Sequence, residues 1–320
     1  MIKGLSYEQA AAWLLERDEF LILTHVRPDG DTVGCAAGLC HALREQGKRA
    51  FVLPNPEMTT LFTPYLEGMW AEEGYEPKTV VAVDMAALGM FPDNARCYQD
   101  RVDLTIDHHN SQEFYARNTC LDGYRAACGE LIYDIIRQWG PVSKESAKGL
   151  YVAVSTDTGW FVYSNTTSDT HRVAAALMET GISTAELNKL HFRTKSVKRM
   201  KLESALIEGM ELYENGTIAI VTQSLELMER LGADQRDAED ISSLVGQLEG
   251  VKTGITLREL KPGLCKLSVR TDPTDLNASD VCAVLGGGGH PAASGATVEG
   301  DIPATKAAIL SAIRQVREKV

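Results

Sequence analysis

No stretch of this 320-residue chain approaches about 20 consecutive apolar residues, and its opening, Met1-Ile-Lys-Gly-Leu-Ser6, lacks a basic region followed by an unbroken apolar core. Both absences argue against a membrane partner and for a soluble, cytoplasmic protein. There is no C-x-x-C pair either. The seven cysteines (Cys35, Cys40, Cys97, Cys120, Cys128, Cys265, Cys282) are odd in number and scattered. They read as free thiols of a reducing compartment rather than a disulfide framework or zinc knuckle. Cations are in deficit, 32 Lys and Arg against 44 Asp and Glu, for a net charge of −12. Affinity for long duplex nucleic acid rests on clustered cations, so that partner is excluded, whereas a short nucleotide held by metal ions and a few local cations is not. Low-complexity tracts and internal repeats are lacking. Ser155, Thr156 and Ser294 have no evident base partner, which leaves nucleophilic-serine chemistry unsupported.

What is present is enough apolar residue, 44%, for two packed cores, and a length that suits two domains. Ser6-x-x-Gln9 reads as a capping box that opens a helix. Phe20 to His25, Thr79 to Asp84 and Val102 to Asp107 are short β-branched or apolar runs with strand character. Between the first two, apolar residues at helical spacing predict a helix from Thr32 to about Gln46, stopped by Gly47. Ala147, Leu150, Tyr151 and Val154 predict another over Ser143 to Ser155. The alternation implies an α/β fold, with an N-terminal, mostly parallel sheet flanked by helices. A cationic run from Lys189 leads into a helix ending near Met210, and a fresh strand pattern starts at Thr217. The expected organisation is a metal-binding domain over 1–190, a linker helix over 191–214 and a smaller α/β domain over 215–320.

Ligands of such sheets bind beyond the carboxyl ends of the strands. His25, Asp84 and Asp107-His108-His109 all stand at those ends, and Asp157 is expected just past the end of a helix. In His25-Val-Arg-Pro-Asp29-Gly-Asp31 two carboxylates share one tight turn, with Gly30 permitting its backbone. A helix entered right after Asp31 would aim its free N–H groups at an anion, and Gly34 and Gly38 would let that helix lie close on the sheet. Each fragment alone has an ordinary explanation as a solvated turn, a helix cap or a polar loop. Their joint order points to a two-metal phosphoesterase. Asp84 is the candidate bridge, because it stands alone at its strand end. A mixed His and Asp set without thiolate suggests two divalent ions, Mn²⁺ first, with Mg²⁺ or Co²⁺ as alternatives.

Downstream, Gly286-Gly287-Gly288-Gly289-His290 follows a predicted helix, Ala278 to Leu285. Successive glycines leave backbone N–H groups open to an anion, and His290 adds a donor. Arg270, at a strand end, is a candidate partner for a substrate phosphate. Arg193, Lys195, Lys198 and Arg199 read better as a solvated helix face, and His41 and His171 as structural residues.

With these residues in place, the chain resembles the DHH family of phosphoesterases, whose signature triplet matches Asp107-His108-His109. Its second half is similar to the DHH-associated domain that carries a G-G-G-H element, here Gly287-Gly288-Gly289-His290. Within the family it is most similar to the bifunctional oligoribonucleases that also remove the 3′-phosphate of 3′-phosphoadenosine 5′-phosphate. The resemblance implies His25, Asp29 and Asp84 around one metal and Asp31, Asp84, His108 and Asp157 around the other. It also implies Asp107 orienting a ligand, His109 facing the scissile phosphate, and the glycine element with His290 holding substrate. The active site is expected in a cleft between the domains. The implied substrates are short oligoribonucleotides or small nucleotides, and a homodimer is compatible with the layout. Alternatives are a cyclic-dinucleotide phosphodiesterase, a polyphosphate or pyrophosphate hydrolase, and a non-catalytic nucleotide sensor. One departure is visible: Cys35 follows Gly34 where the family commonly has Ser.

Overall fold

The computed structural model describes residues 3–318 apart from 235, 236, 239, 240 and 273. The chain divides into two units, Met1–Thr194 and Lys195–Val320.

In the first unit, β1 (Lys3–Gly4) precedes α1 (Tyr7–Leu15), which Ser6 and Gln9 open with a reciprocal capping box. Then follow β2 (Phe20–Leu23), α2 (Gly30–Glu45), β3 (Ala50–Val52), β4 (Thr79–Val83), β5 (Leu104–Asp107) and β6 (Asn118–Leu121). Four helices complete the unit: α3 (Cys128–Ile136), α4 (Lys144–Asp157), α5 (Ser168–Glu179) and α6 (Thr184–Asn188), the last running into a π-helical turn, Lys189–Arg193. The sheet order is β1-β6-β5-β4-β2-β3, with β1 antiparallel and the other five strands parallel. Both faces are covered. Phe20 and Ile22 pack into the larger cluster with α2, α3 and α4, whereas Leu21 and Leu23 pack into a second cluster with Val80, Met85 and Phe91. Burial on two sides explains why β2 and β4 read as continuous apolar runs rather than alternating ones.

Helix α2 departs from expectation in two ways. It starts at Gly30, capped by Asp29, whose side chain accepts from the Asp31 and Thr32 amides. Asp31 therefore lies inside the first turn instead of before it. Its glycines also face α4 and not the sheet. A Cβ on Gly34 would sit 2.3 Å from the Gly149 carbonyl oxygen, and one on Gly38 would strike Leu150. Helix α4 in turn is longer than its apolar pattern, so that Asp157 is its last residue.

The second unit runs α7 (Val197–Glu208), β7 (Glu211–Tyr213), β8 (Ile218–Gln223), α8 (Leu225–Leu231), β9 (Thr253–Lys261), β10 (Leu264–Thr271), α9 (Ala278–Val284), β11 (Gly288–His290), β12 (Ala293–Glu299) and α10 (Ile302–Arg317). Its sheet order is β11-β12-β10-β9-β8-β7, and only the β8–β9 pair is parallel. Ile255, Leu257, Leu267 and Val269 pack with Val281 of α9 and Ile309 and Ile313 of α10 in one core.

Candidate metal centre

Asp84 stands immediately after β4 and adopts a left-handed backbone, φ +58°. That region is costly for a residue with a side chain, by about 1–3 kcal/mol, and such strain concentrates at functional positions. The turn is held by the Asp84 amide donating to the Ile106 carbonyl at 2.9 Å, which ties it to β5. Asp84 is 2% exposed, and its Oδ1 has no hydrogen-bond partner.

Two histidines converge on it in a common manner. His25 Nδ1 contacts the Val26 carbonyl at 2.8 Å, leaving Nε2 at 3.7 Å from Asp84 Oδ2 and 3.5 Å from Asp29 Oδ1. His108 Nδ1 contacts the Arg125 carbonyl at 3.1 Å, with Nε2 between Asp84 Oδ1 (3.5 Å), Asp157 Oδ2 (3.6 Å) and Asp31 Oδ2 (3.7 Å). A carbonyl at Nδ1 demands a proton there, so each Nε2 carries the lone pair that a metal needs. His108 Nε2 is buried without a hydrogen bond. These separations are too long for hydrogen bonds. They approach the spacing of two ligands about 2.1 Å from a common ion, roughly 3 Å at a right angle and roughly 3.6 Å at about 120°. The donors fall into the sets His25, Asp29, Asp84 and Asp31, His108, Asp157, with a third, overlapping set of Asp84, His108 and His109. Orphaned buried donors and a hard oxygen-plus-imidazole set fit divalent ions.

Electrostatics agree with that fit. Burial, then the neighbouring carboxylates, push Asp84 and Asp31 well above the usual carboxylate range. Burial and Asp29 bring Asp157 to about 7, and burial followed by His109 lowers His108 to about 4. Three carboxylates whose ionised form is disfavoured, beside an imidazole held neutral, make a site at which a divalent cation would be stabilising.

Asp31 is fixed by donors that sequence reasoning missed. The Cys128 amide donates to Oδ2 at 2.7 Å and the Gly129 amide to Oδ1 at 3.0 Å, so the N-terminus of α3 grips this carboxylate. The Cys35 thiol donates to Oδ1 at 3.2 Å, doing with sulfur what a serine hydroxyl could do. Gly30 is also explained differently from expectation: it is helical, and a Cβ there would lie 2.3 Å from Thr156 Oγ1 of α4.

Asp107 is fully buried. Its Oδ1 accepts from His109 Nδ1 at 2.8 Å and from the His108 and His109 amides, and Oδ2 accepts from Gln112 Nε2 at 2.6 Å. Burial disfavours the His109 imidazolium, but the Asp107 carboxylate outweighs it, and the His109 pKa is raised. Asn165 Nδ2 bridges the carbonyls of Asp157 and Ala126, tethering the end of α4.

The glycine element differs in form from an open loop. The Gly286 and Gly287 amides already donate to Ala283 and Cys282 at the end of α9, and Gly288 to His290 form the exposed edge strand β11 beside β12. His290 is exposed, while Arg270 donates to Ser242 Oγ and the Val269 carbonyl. Ser155 and Thr156 donate back to helix carbonyls, and Ser294 to the His290 carbonyl. Six of the cysteines are buried and all seven are free. His41 lies within α2 and His171 stacks on Phe161, while Lys195 and Arg199 pair with Glu203. No helix among the described residues is long and apolar enough to cross a membrane.

Comparison with known proteins adds a second line of evidence. The model of the DHH family, N-terminal domain, matches residues 19–154. A bifunctional oligoribonuclease and PAP phosphatase NrnA of Thermus thermophilus is 31% identical over 92% of this chain and 89% of its own. The protein of the same description from Bacillus subtilis is 27% identical over 88% and 90%. Among solved structures, an exopolyphosphatase-related protein of Bacteroides fragilis superposes with a TM-score of 0.86 at 24% identity, covering 97% of this chain and 96% of the other. That last likeness speaks to the fold alone.

Proposed function

The chain belongs to the DHH family, and on that premise we propose that it is a phosphoesterase which cleaves short oligoribonucleotides to mononucleotides and removes the 3′-phosphate of 3′-phosphoadenosine 5′-phosphate. The observation that carries the reading is the pair of orphaned buried donors, Asp84 Oδ1 and His108 Nε2, at the centre of three converging ligand sets. A sensor that had lost catalysis would have no use for so costly an arrangement.

Two divalent ions, when bound, activate water and neutralise charge on the phosphoryl oxygens. His25, Asp29 and Asp84 would hold one ion and Asp31, Asp84, His108 and Asp157 the other. Imidazole among the donors favours a transition ion over Mg²⁺, and the carboxylate-rich remainder suits Mn²⁺, with Co²⁺ as the alternative. His109, whose pKa the Asp107 carboxylate raises, donates to the phosphoryl oxygens as charge develops on them. Asp107 positions that ring. In the second unit, Gly288, Gly289 and His290, with Arg270, would take an anionic group of the substrate, and Gly287, whose amide donates to the Cys282 carbonyl, would shape the turn that leads into them; the unit would serve as the substrate-binding domain. The net charge of −12 suits a short substrate, and free, mostly buried thiols suit a reducing, cytoplasmic setting.

The test is a substrate panel with Mn²⁺: RNAs of two to about five nucleotides, 3′-phosphoadenosine 5′-phosphate, cyclic dinucleotides, pyrophosphate and polyphosphate. Turnover of the first two groups is expected. Turnover of only the inorganic substrates would overturn the nucleotide reading, and activity undiminished in Asp84→Asn would overturn the metal centre.

A further inference from the structure

Four aromatic rings form a column in the first unit that the metal chemistry does not use. Phe62 stacks on His191 with ring centroids 5.7 Å apart and planes at 16°. His191 stacks on Trp160 at 5.8 Å and 24°, and Trp160 on Phe192 at 5.7 Å and 15°. The column is fixed by polar contacts at its edges: Tyr65 Oη lies 2.6 Å from His191 Nε2, and Trp160 Nε1 donates to Asn188 Oδ1 at 2.7 Å. Its inner end, Phe62, is 5% exposed, whereas its outer ring, Phe192, is 55% exposed.

Its backbone is unusual on both sides. His191 and Phe192 are consecutive residues of the π-helical turn Lys189–Arg193, whose wider winding lets neighbouring side chains flank one indole, and such turns recur at functional sites. Trp160 sits among three successive left-handed residues, Gly159 (φ +54°), Trp160 (+58°) and Phe161 (+67°). A bulky aromatic in that region is held there at a cost. That segment begins two residues after Asp157, so the metal ligand and the column share one anchored stretch of chain. Lys189 and Arg193 flank the two rings on the same turn.

We propose that the face of Phe192 is a stacking platform for a nucleobase of the oligonucleotide, with Lys189 and Arg193 serving the adjoining phosphates. A rigid, pre-stacked column offers a flat π-face at no ordering cost, tolerates any base, and is the usual device for gripping single strands. It assigns to the first unit a base contact that selects single-stranded chains over bare phosphates. The inference rests on the phosphoesterase reading only for the identity of the ligand.

The test measures binding of a fluorescein-labelled five-nucleotide RNA, and of an abasic sugar-phosphate oligomer of equal length, by anisotropy in the Asp84→Asn background. Phe192→Ala should weaken RNA binding by about 5- to 100-fold, leave the abasic oligomer unaffected, and be rescued by Phe192→Trp. The same factor should appear in KM for the RNA in the otherwise intact enzyme, which keeps the test open if the Asp84→Asn chain does not fold. Unchanged RNA affinity in Phe192→Ala, or equal loss for both oligomers, would overturn the platform. Absence of hydrolysis in the intact enzyme would instead strike the phosphoesterase reading, leaving base-dependent binding to be judged by itself.

Discussion

Asp107 Oδ1 and His109 Nδ1 lie 2.8 Å apart, a fully buried carboxylate against a partly exposed imidazole, and the contact orients the ring and raises its pKa. Asp107→Asn removes the charge that raises the His109 pKa, so the protonated fraction at neutral pH falls and the alkaline limb of the rate profile moves to lower pH. A loss of about 10²-fold or more in kcat is expected, with Asp107→Asn/His109→Ala no worse than His109→Ala. Additive losses would show that the two act separately.

Metal stoichiometry separates the ligand sets. The wild-type protein should retain two Mn²⁺ per chain in equilibrium dialysis. Asp29→Asn and His25→Ala should drop the count toward one, and Asp84→Asn should lose both, because Asp84 faces both His25 and His108. Among neutral residues that carry a side chain, Asn tolerates the left-handed backbone at this position best, which keeps the fold intact for the measurement.

The acidic cluster predicts an inverted pH dependence of stability. Asp157 is brought from an ordinary 3.8 to about 7 by burial and Asp29. Between these values the metal-free folded chain keeps a proton that the unfolded chain has released, so its stability falls as pH rises through that window. Metal binding requires the ionised carboxylate, and its stabilisation grows over the same range. The Tm difference between Mn²⁺-loaded and EDTA-treated protein should therefore be larger at pH 8 than at pH 5. A constant difference would contradict the assignment.

Cys35 should tolerate serine but not alanine. The Ser hydroxyl can replace the thiol as a donor to Asp31 Oδ1, whereas Cys35→Ala leaves only the Gly129 amide there. A metal affinity about tenfold weaker in Cys35→Ala, and near the wild-type value in Cys35→Ser, is the expected calorimetric result.

Gly34→Ala should lower stability by about 1–3 kcal/mol, several degrees in Tm, and reduce metal affinity with it, since the added methyl would press on the Gly149 carbonyl. An unaltered Tm would mean that the helices separate at no cost.

Much of this was legible in the residues themselves. His25, Asp84 and Asp107 follow apolar runs, and strand ends in parallel sheets share an edge, so their meeting could be inferred without coordinates. Helical periodicity located α2 and α4, but it reports which face is apolar and not what that face meets. Gly34 and Gly38 were therefore assigned to the sheet when their partner is α4. The grip of Cys128 and Gly129 on Asp31 is made by backbone amides, which carry no residue-type signature. Gly288 and Gly289 concealed a short strand, because pairing with β12 depends on a neighbour rather than on their own preference. The aromatic column is illegible in the sequence for the same reason: Phe62, Trp160 and His191 are distant along the chain, and a π turn has no compositional mark.

The crossing of α2 and α4 has a consequence for how this enzyme can vary. Asp31 begins one helix and Asp157 ends the other, and between them the helices touch through Gly34 and Gly149, backbone against backbone. The side chains that border this contact are chiefly small, Ala37 and Ala153, with Leu150 beside Gly38, so the spacing of the two carboxylates is tied to the size of the residues at the crossing. A lineage can exchange apolar residues on the other face of the sheet, such as Leu21, Leu23 and Val80, without moving that contact, but cannot enlarge Gly34, Gly149, Ala37 or Ala153 without retuning it.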